Sequence, residues 1–192
     1  MAGLEYSILN TDDPDTVAQY EKCLFKAFYP PGDPFFERVR NVDTEKKRIR
    51  LRIPYSDQDV FIARLGKKVI AGAAINYNCS TTMQLEMLGF SIDKNQNGIC
   101  EGLAIFNGRS FVDHHPVMFE MGAVMHDRLR RKNIKKTYGT CIQKLLRGYQ
   151  LLGFRVVASR SLSSTKIYLL EKEVDSEENG FTIAAGRPFR DQ

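Results

Sequence analysis

The sequence lacks the patterns that mark several large protein classes. It contains no tryptophan, and no apolar run approaches the roughly 20 residues that a membrane-spanning helix requires. Its first residues, MAGLEYSILNTDD, are acidic where a secretory signal is basic and then apolar, so export is not expected. The sequence therefore favours a cytoplasmic protein without a membrane partner.

The sequence also lacks a disulfide framework and a metal-ligand pattern. Its adjacent histidines, His114 and His115, would point to opposite faces of a strand, which disfavours joint metal binding. In a cytosolic chain, isolated cysteines are usually reduced and packed as small hydrophobic residues. The four cysteines are scattered without a CxxC pair: Cys23, Cys79, Cys100 and Cys141.

Length and composition fit one ordinary globular domain. The chain has 192 residues, of which 43% are hydrophobic and 27% charged, enough for one buried core but short for two domains. Its formal net charge of +5 favours an anionic partner, such as a phosphate-rich cofactor, nucleic acid or an anionic surface. The positions of the basic residues are therefore more informative than their total.

The first half of the chain predicts a helix and a β-hairpin. Asp13 followed by Pro14 is typical of a helix N-cap with proline at the first helical position. Residues 60–65 and 69–77 flank a Gly-Lys-Lys turn, which predicts the hairpin. The other expected elements are a strand at 5–9, a second helix from Asp33 to Val39, a basic segment at 45–52 that suits either helix or strand, and a strand at 84–92.

The last third predicts a strand–helix–strand unit. Residues 119–125 suit a strand, and an apolar stripe from Tyr138 to Leu152 predicts a helix that ends at Gly153. With a buried strand at 154–158, this order predicts a right-handed crossover in a mixed sheet. The remaining expectations are an edge segment at 99–106, a helix at 162–172 and a strand at 180–185.

A strongly basic segment, residues 128–136, lies between the first of these strands and the helix. Six of its nine residues are Arg or Lys. A helix N-terminus offers unpaired N–H groups and partial positive charge, and both favour phosphate. An isolated charge run is usually a solvated surface, so the segment is either that or a phosphate-binding turn.

This segment resembles the pyrophosphate loop of the GNAT N-acyltransferases, in which Arg/Gln-x-x-Gly-x-Gly/Ala leads into a helix. Arg130 falls on the Arg/Gln position, Asn133 on the first glycine and Lys135 on the second. Both loop glycines are thus absent, although Asn tolerates the left-handed conformation. The hairpin, the helix and the strand at 154–158 follow in the family's order, so the resemblance covers nearly the whole chain.

The resemblance implies one GNAT-like α/β (α+β) domain over residues 1–192. Its central mixed, mostly antiparallel sheet would be flanked by helices and contain a splayed parallel strand pair, here 119–125 and 154–158. The implied reaction is transfer of an acyl group, acetyl in the first instance, from acyl-CoA to a primary amine by direct attack, without a metal. The residues expected to bind the cofactor are Val124, Met125, Arg130, Arg131, Lys132, Asn133, Ile134, Lys135 and Lys136.

The same resemblance implies two catalytic residues. Glu120 would be a general base, provided that desolvation raises its pKa. Tyr168 would protonate the departing thiolate, and Glu101 is a rival for the base. Each of these residues also has a structural reading, since a glutamate often pairs with a surface lysine and a half-buried tyrosine often only packs.

Three alternatives remain open from the sequence. The acyl donor could be carried on acyl carrier protein, because the basic stretch 38–52 would suit an acidic carrier. The protein could instead be an inactive GNAT-fold ligand-binding protein that lost its loop glycines. A nucleic-acid-binding module ranks last, because the chain has no RNP-like motif, zinc pattern or helix-turn-helix. No motif identifies the acceptor amine.

Overall fold

A computed structural model describes residues 3–29, 37–108, 111–112, 115–163 and 165–174 of the chain. The expectations for residues 33–36, for His114 and for 180–185 lie outside these ranges. In chain order the elements are β1 (Leu4–Ile8), α1 (Pro14–Phe28), β2 (Arg40–Asp43), β3 (Arg48–Leu51), β4 (Gln58–Leu65), β5 (Lys68–Asn76), α2 (Gln84–Met87), β6 (Ile99–Asn107), β7 (Phe111–Val112), β8 (His115–Pro116), α3 (Val117–Arg131), β9 (Lys136–Ile142), α4 (Gln143–Leu151), β10 (Arg155–Leu162) and β11 (Thr165–Glu173).

Seven strands form the central sheet, in the order β1-β4-β5-β6-β9-β11-β10. Strands β6 and β9 are parallel, and the other neighbours are antiparallel. Helix α3 packs its buried residues Val117 and Met121 against one face of the sheet, while α1 packs Tyr20 and Leu24 against the other. This architecture confirms the expected mixed, mostly antiparallel sheet with one parallel pair and flanking helices.

The prediction of which strands form that parallel pair is wrong. Residues 119–125 lie inside helix α3, and residues 154–158 fall on β10, which runs antiparallel to β11. Helix α3 is apolar on two sides, because Val117 and Met121 face the core while Met118 lines a cavity. In its N-terminal part, residues 117–125, only Glu120 is charged and Phe119 is exposed, so the period of 3.6 that identifies an amphipathic helix is hidden there.

The helix expected between Tyr138 and Leu152 is in fact a strand followed by a helix. Tyr138 lies on β9, and only residues 143–151 are helical, in α4. No side chain caps the start of α4 at Ile142, so the usual polar boundary signal is missing from the sequence. Expected helix 162–172 is likewise largely strand β11, and expected strand 84–92 begins with the short helix α2.

Other local predictions are confirmed. The side chain of Asp13 accepts hydrogen bonds from the N–H groups of Asp15 and Thr16, at 3.1 and 3.3 Å, and caps α1. Strands β4 and β5 form the expected hairpin, with Gly66 at φ 60° in its turn. The basic segment 45–52, for which the sequence allowed either helix or strand, contains strand β3, which pairs with β2.

Candidate functional site

Strands β6 and β9 separate after a short parallel ladder. They pair from Ile99 with Lys136 to Gly102 with Gly139, and then diverge. Beyond that point β6 continues to Asn107, paired with β5 only. We call the resulting gap, between residues 103–107 and 140–142, the split. Its β6 edge presents peptide groups that form no ladder with β9 within the described residues.

A β-bulge shapes the β6 edge of the split. Ala74 pairs with Ala104 while Ile75 pairs with Gly102, so Leu103 is an extra residue on β6. A bulge bends its strand and redirects the peptide groups around it. The Leu103 carbonyl accepts a hydrogen bond from the side-chain amide of Gln84, at 3.0 Å, which fixes the bulge to α2.

An apolar cavity of about 130 Å³ lies on the face of the sheet that α3 and α4 cover. Its two basic side chains are held at the wall: His126 Nε2 lies 2.7 Å from the carbonyl oxygen of Val174, and Lys172 donates to Leu152 O at 2.7 Å. Burial lowers the pKa of Lys172 to about 8. The apolar side chains around it include Met118, Phe119, Met125, Leu129, Leu152 and Phe154.

A larger cavity of about 660 Å³ lies on the opposite face, towards α1, α2 and β2. Its wall includes Phe28, Arg40, Gln84, Leu103 and Lys144. Four residues line both cavities, and the two spaces therefore meet at the split: Ala104, Ile105, Thr140 and Tyr149.

Tyr149 is the ionisable side chain among the four shared residues. It lies on α4 and packs edge-on against Phe154, with ring centroids 5.5 Å apart. Burial raises the pKa of its hydroxyl to about 12, so the group is a proton donor at neutral pH. From the sequence, Tyr149 was interpreted only as part of an apolar helical stripe. The signal that could have identified it as a site residue is its position in the helix directly after a strand of the parallel pair.

Glu101 and Gln84 form a buried pair behind the larger cavity. Glu101 is fully buried on β6. Its carboxylate accepts hydrogen bonds from the backbone N–H groups of Gln84, at 2.8 Å, and Leu85, at 2.6 Å. Burial raises the pKa of this carboxyl to about 7, against the opposing effect of those two hydrogen bonds. The rival base from the sequence is therefore anchored to α2, and it is not among the residues that line the cavities.

Glu120 and Tyr168 do not come together. Glu120 lies in the first turn of α3 and accepts a hydrogen bond from the Tyr6 hydroxyl at 2.9 Å, on strand β1 at the far edge of the sheet. Tyr168 lies on β11, packs with Cys141 and donates to the side chain of Gln143. Neither appears among the described residues that line the two cavities. The structure does not bring the two side chains together, and their catalytic roles stay predictions.

The basic segment ends a helix rather than beginning one. Val124, Met125, Arg130 and Arg131 belong to α3, and Lys132 is its C-cap. The C-terminal end of a helix carries partial negative charge, which basic side chains stabilise. The expected phosphate-binding helix N-terminus is therefore wrong at this position.

The backbone of this segment is already hydrogen bonded. The N–H groups of residues 132–134 donate to carbonyls of α3, and those of Lys135 and Lys136 donate to Gly98 O at 2.6 and 3.1 Å. Asn133 has φ 55°, so the left-handed conformation expected of it is confirmed. Ile134 is buried in the core. Phosphate binding here stays a prediction that rests on side-chain charge.

Much of that side-chain charge is paired. Arg131 contacts Asp127 at 2.6 Å, and Lys136 lies 3.3 Å from Glu173. Lys132 lies 3.9 Å from Asp59 and 4.4 Å from the ring centre of Tyr77. The segment therefore presents a weaker positive field than its sequence implies.

Three basic residues of the stretch 38–52 are engaged within the fold. Arg48 and Arg50 approach Glu21 of α1, at 3.9 and 3.1 Å. Arg40 is buried in the wall of the larger cavity, with its guanidinium carbon 4.0 Å from the centre of the Phe28 ring. Burial lowers the pKa of Arg40 to about 10, which still leaves it charged at neutral pH.

Neither a membrane-spanning helix nor a metal site is found among the described residues. No helix within them is long and apolar enough to cross a membrane. In the same part of the chain, no group of three or more His, Cys, Asp or Glu side chains is placed to hold a metal ion.

Sequence comparison finds no match to a protein-family model and no match among curated proteins. The fold does match solved structures. The CoA-dependent acyl-homoserine lactone synthase BjaI, solved with SAM and isopentyl-CoA, is similar at a TM-score of 0.71 and 14% identity, over 91% of this chain and 85% of that chain. FeeM, an N-acyl amino acid synthase from uncultured soil microbes, has a TM-score of 0.59 and 10% identity over 92% and 94%.

The ribosomal-protein-S18-alanine N-acetyltransferase of Escherichia coli is also similar, at a TM-score of 0.58 and 10% identity, over 90% of this chain and 94% of that chain. These proteins are acyltransferases with different acyl groups and acceptors. The shared feature is the fold, since identities of 10–14% carry no residue correspondence. The chain therefore has the GNAT-like acyltransferase fold that the sequence resemblance predicted.

Proposed function

We propose that the protein is an N-acyltransferase that moves an acyl chain longer than acetyl from acyl-CoA to a primary amine. The observation that carries the proposal is the pair of cavities that meet at the split between β6 and β9. One is apolar and suits an acyl chain, whereas the other is partly polar and suits an amine. A thioester at the split would have its two reaction partners on opposite faces of the sheet.

The β6 edge of the split suits the thioester carbonyl. Peptide groups beyond Gly102 have no ladder with β9 in the described residues, and the bulge at Leu103 reorients them. A backbone N–H directed into the split could donate to the oxygen that gains negative charge during attack. We assign the role of polarising the thioester carbonyl to the β6 edge at residues 103–107.

The apolar cavity accounts for the acyl chain. Its lining from Met118 to Leu129 extends along α3, and a bare acetyl group would leave this space unfilled. Each buried methylene contributes about 0.8 kcal/mol, so a longer chain would bind more tightly. BjaI provides a precedent for the fold, since it was solved with isopentyl-CoA.

The N-terminal turn of α3 is the better site for the CoA phosphates. Its N-cap, Pro116, provides no side-chain cap, and Met118 and Phe119 of the same turn line the apolar cavity. A helix N-terminus favours phosphate through its N–H groups and partial positive charge. The basic segment lies at the other end of this 15-residue helix, about 22 Å away at 1.5 Å per residue.

Tyr149 is placed to protonate the leaving group. In the proposed reaction the neutral amine attacks the thioester carbon, the C–N bond forms and the C–S bond breaks. The Tyr149 hydroxyl donates its proton to the thiolate sulfur, the nitrogen loses a proton to water, and solvent reprotonates the tyrosine. Glu120 stays a candidate for the base. If it has that role, Glu120→Gln should lower turnover by about 10²–10⁴-fold.

Acyl carrier protein is the weaker donor candidate. Arg48 and Arg50 approach Glu21, and Arg40 is buried, so three of the seven basic residues in this stretch are engaged within the fold rather than directed to an acidic carrier. Acyl carrier protein loaded with the same acyl group should accordingly be used more slowly than acyl-CoA.

The test is amine-dependent release of thiol from acyl-CoA, with the product identified by its mass. Acyl-CoAs of two to twelve carbons are mixed with a panel of primary amines, and reactions without amine are the control. We expect thiol release with formation of an N-acyl product, and faster turnover with longer chains. The absence of both turnover and a thermal shift with every acyl-CoA would contradict the proposal and favour an inactive ligand-binding protein.

A further inference from the structure

The Leu103–Ala104 peptide group lies where β6 loses β9 as a neighbour. The last parallel pair joins Gly102 to Gly139, and Leu103 is the extra residue of the bulge that follows. The carbonyl oxygen of Leu103 accepts a hydrogen bond from Gln84 Nε2 at 3.0 Å. The first peptide group of the split is therefore held by a side chain of α2.

A second contact fixes the backbone of Gln84 to the same strand. Glu101 lies two residues before the bulge, and its carboxylate accepts a hydrogen bond from the backbone N–H of Gln84 at 2.8 Å. Glu101 belongs to the part of β6 that is paired on both sides, with Asn76 of β5 and Tyr138 of β9. We call the arrangement of Glu101, Gln84 and Leu103 the clamp, because it ties the paired part of β6 to the bulge.

The clamp also sets the direction of a backbone N–H group. In a planar trans peptide the C=O and N–H bonds point in opposite directions. Because the Leu103 carbonyl is directed to Gln84, the N–H of Ala104 is directed away from it. Ala104 lines both cavities, and Gln84 and Leu103 line the larger one. The orientation of this peptide group, where the two cavities meet, thus depends on Gln84.

On the basis of the acyltransferase function above, we propose that Gln84 is a positioning residue for the reaction. Its amide holds the β6 edge in the orientation that polarises the thioester carbonyl, and it acts through Leu103 rather than by contact with the reacting atoms. The carbonyl oxygen gains negative charge only during attack, so a misdirected edge weakens the transition state more than the bound thioester. Gln84 therefore affects kcat much more than the affinity for acyl-CoA.

The test removes the amide donor and measures turnover and donor binding separately. Gln84→Met keeps the length of the side chain and removes the hydrogen bond. With octanoyl-CoA and the best amine of the panel, we expect kcat to fall by about 10- to 100-fold, because small misplacements at a reacting centre cost up to about 10²-fold. The dissociation constant of octanoyl-CoA, from calorimetric titration without amine, should stay within about threefold of the parent's value.

Gln58 provides a matched control for the loss of a buried amide. Its side chain is buried, and its Nε2 donates to the carbonyl oxygen of Ile53 at 2.9 Å. It is not among the described residues that line the two cavities. Gln58→Met should lower the midpoint of thermal unfolding about as much as Gln84→Met does, while its kcat stays near that of the parent. The pair of variants thus separates a loss of stability from a loss of positioning.

A pH profile tests the hydrogen bond itself. Gln84→Glu preserves the shape of the side chain, but a carboxylate can only accept hydrogen bonds, whereas a carboxylic acid can donate one. The introduced carboxyl would lie near the buried Glu101, and both burial and a neighbouring carboxylate raise a carboxyl pKa. The ratio of variant to parent kcat should therefore be highest near pH 5 and fall about tenfold or more as the pH rises towards 9.

Several results would overturn the inference. A Gln84→Met variant with the parent's kcat would show that the edge does not need the amide. Equal losses of kcat in Gln84→Met and Gln58→Met would make Gln84 structural, and a Gln84→Glu ratio that does not change with pH would exclude the hydrogen bond. In each case the parent still transfers the acyl group, so the proposed function would stand. A parent that releases no thiol with any amine would instead contradict that function.

Discussion

The carboxylate of Glu101 accepts the backbone N–H of Gln84 at 2.8 Å and thereby ties the centre of the sheet to the wall of the larger cavity. This carboxyl is fully buried, and burial raises its pKa to about 7. The residue that orders the candidate acceptor site is therefore one whose ionisation is costly at neutral pH.

The first prediction concerns the pH dependence of stability. The folded pKa of Glu101, about 7, exceeds the ordinary value of 4.5, so its stabilising contribution is complete below pH 4.5 and is lost as the pH rises through 7. The loss amounts to roughly 3 kcal/mol. Glu101→Gln stays neutral and should show a shallower decline in the free energy of unfolding between pH 5 and 8.

Urea denaturation at each pH measures this difference. Glu5→Gln, at an exposed position on β1, is the matched control and should keep the parent's slope. Identical slopes in the parent and Glu101→Gln would show that Glu101 does not carry the pH dependence.

Local signals in the sequence predicted the parts of the fold whose surroundings are simple. The cap at Asp13 and the turn at Gly66 involve near neighbours, and both were correct. The predictions for segments that are buried on both sides were wrong. Tyr168 and Leu169 of β11 are buried on opposite faces of the sheet, so no alternation of apolar and polar residues marks the strand. In helix α3 the apolar run at 117–125, which includes the exposed Phe119, hid the helical period.

The site was harder to predict because it depends on tertiary contacts. Gln84 and Arg40 come from elements far apart in the chain, and neither carries a local motif. The basic segment was expected to begin a helix at Tyr138, whereas it ends α3 and leads into strand β9. The charge pattern alone does not distinguish the start of one helix from the end of another.

The second prediction compares two Tyr→Phe variants, each of which loses only its own hydroxyl group. Tyr149→Phe should lower turnover by about 10²-fold or more, because the leaving thiolate loses its proton donor. Tyr168→Phe should turn over at nearly the parent rate, since that hydroxyl contacts Gln143. Stopped-flow thiol release at saturating acyl-CoA measures both rates. A slow Tyr168→Phe beside a fast Tyr149→Phe would restore the assignment made from the sequence.

The third prediction concerns the basic segment. Joint substitution Arg131→Glu and Lys132→Glu should weaken acyl-CoA binding by no more than about 30-fold, because exposed charges contribute about 0.2–1 kcal/mol each. Direct phosphate ligands would instead give a loss well above 100-fold, because charge-assisted contacts contribute about 1.5–3 kcal/mol each. Calorimetric titration at low and at physiological salt gives the affinity. A large loss that persists at physiological salt would place the phosphates at the C-terminal end of α3.

The central claim is that the acyl chain occupies the apolar cavity beside the split, and its most direct test is the dependence of kcat/KM on chain length. In the parent, kcat/KM should rise about fourfold per added methylene until the cavity is full, from about 0.8 kcal/mol per methylene. Gly122 lines this cavity on α3, so Gly122→Leu should stop the rise at a shorter chain. Gly122→Ala should produce a smaller shift in the same direction.

Gly148 on α4 provides the control, because a side chain added there meets nothing within 4 Å. Gly148→Leu should reproduce the parent's chain-length profile, and circular dichroism establishes that all three variants fold. We predict that kcat/KM for long acyl-CoAs falls at least tenfold in Gly122→Leu while that for short ones is retained. A parent profile that is flat, or a Gly122→Leu profile that superimposes on it, would contradict the claim.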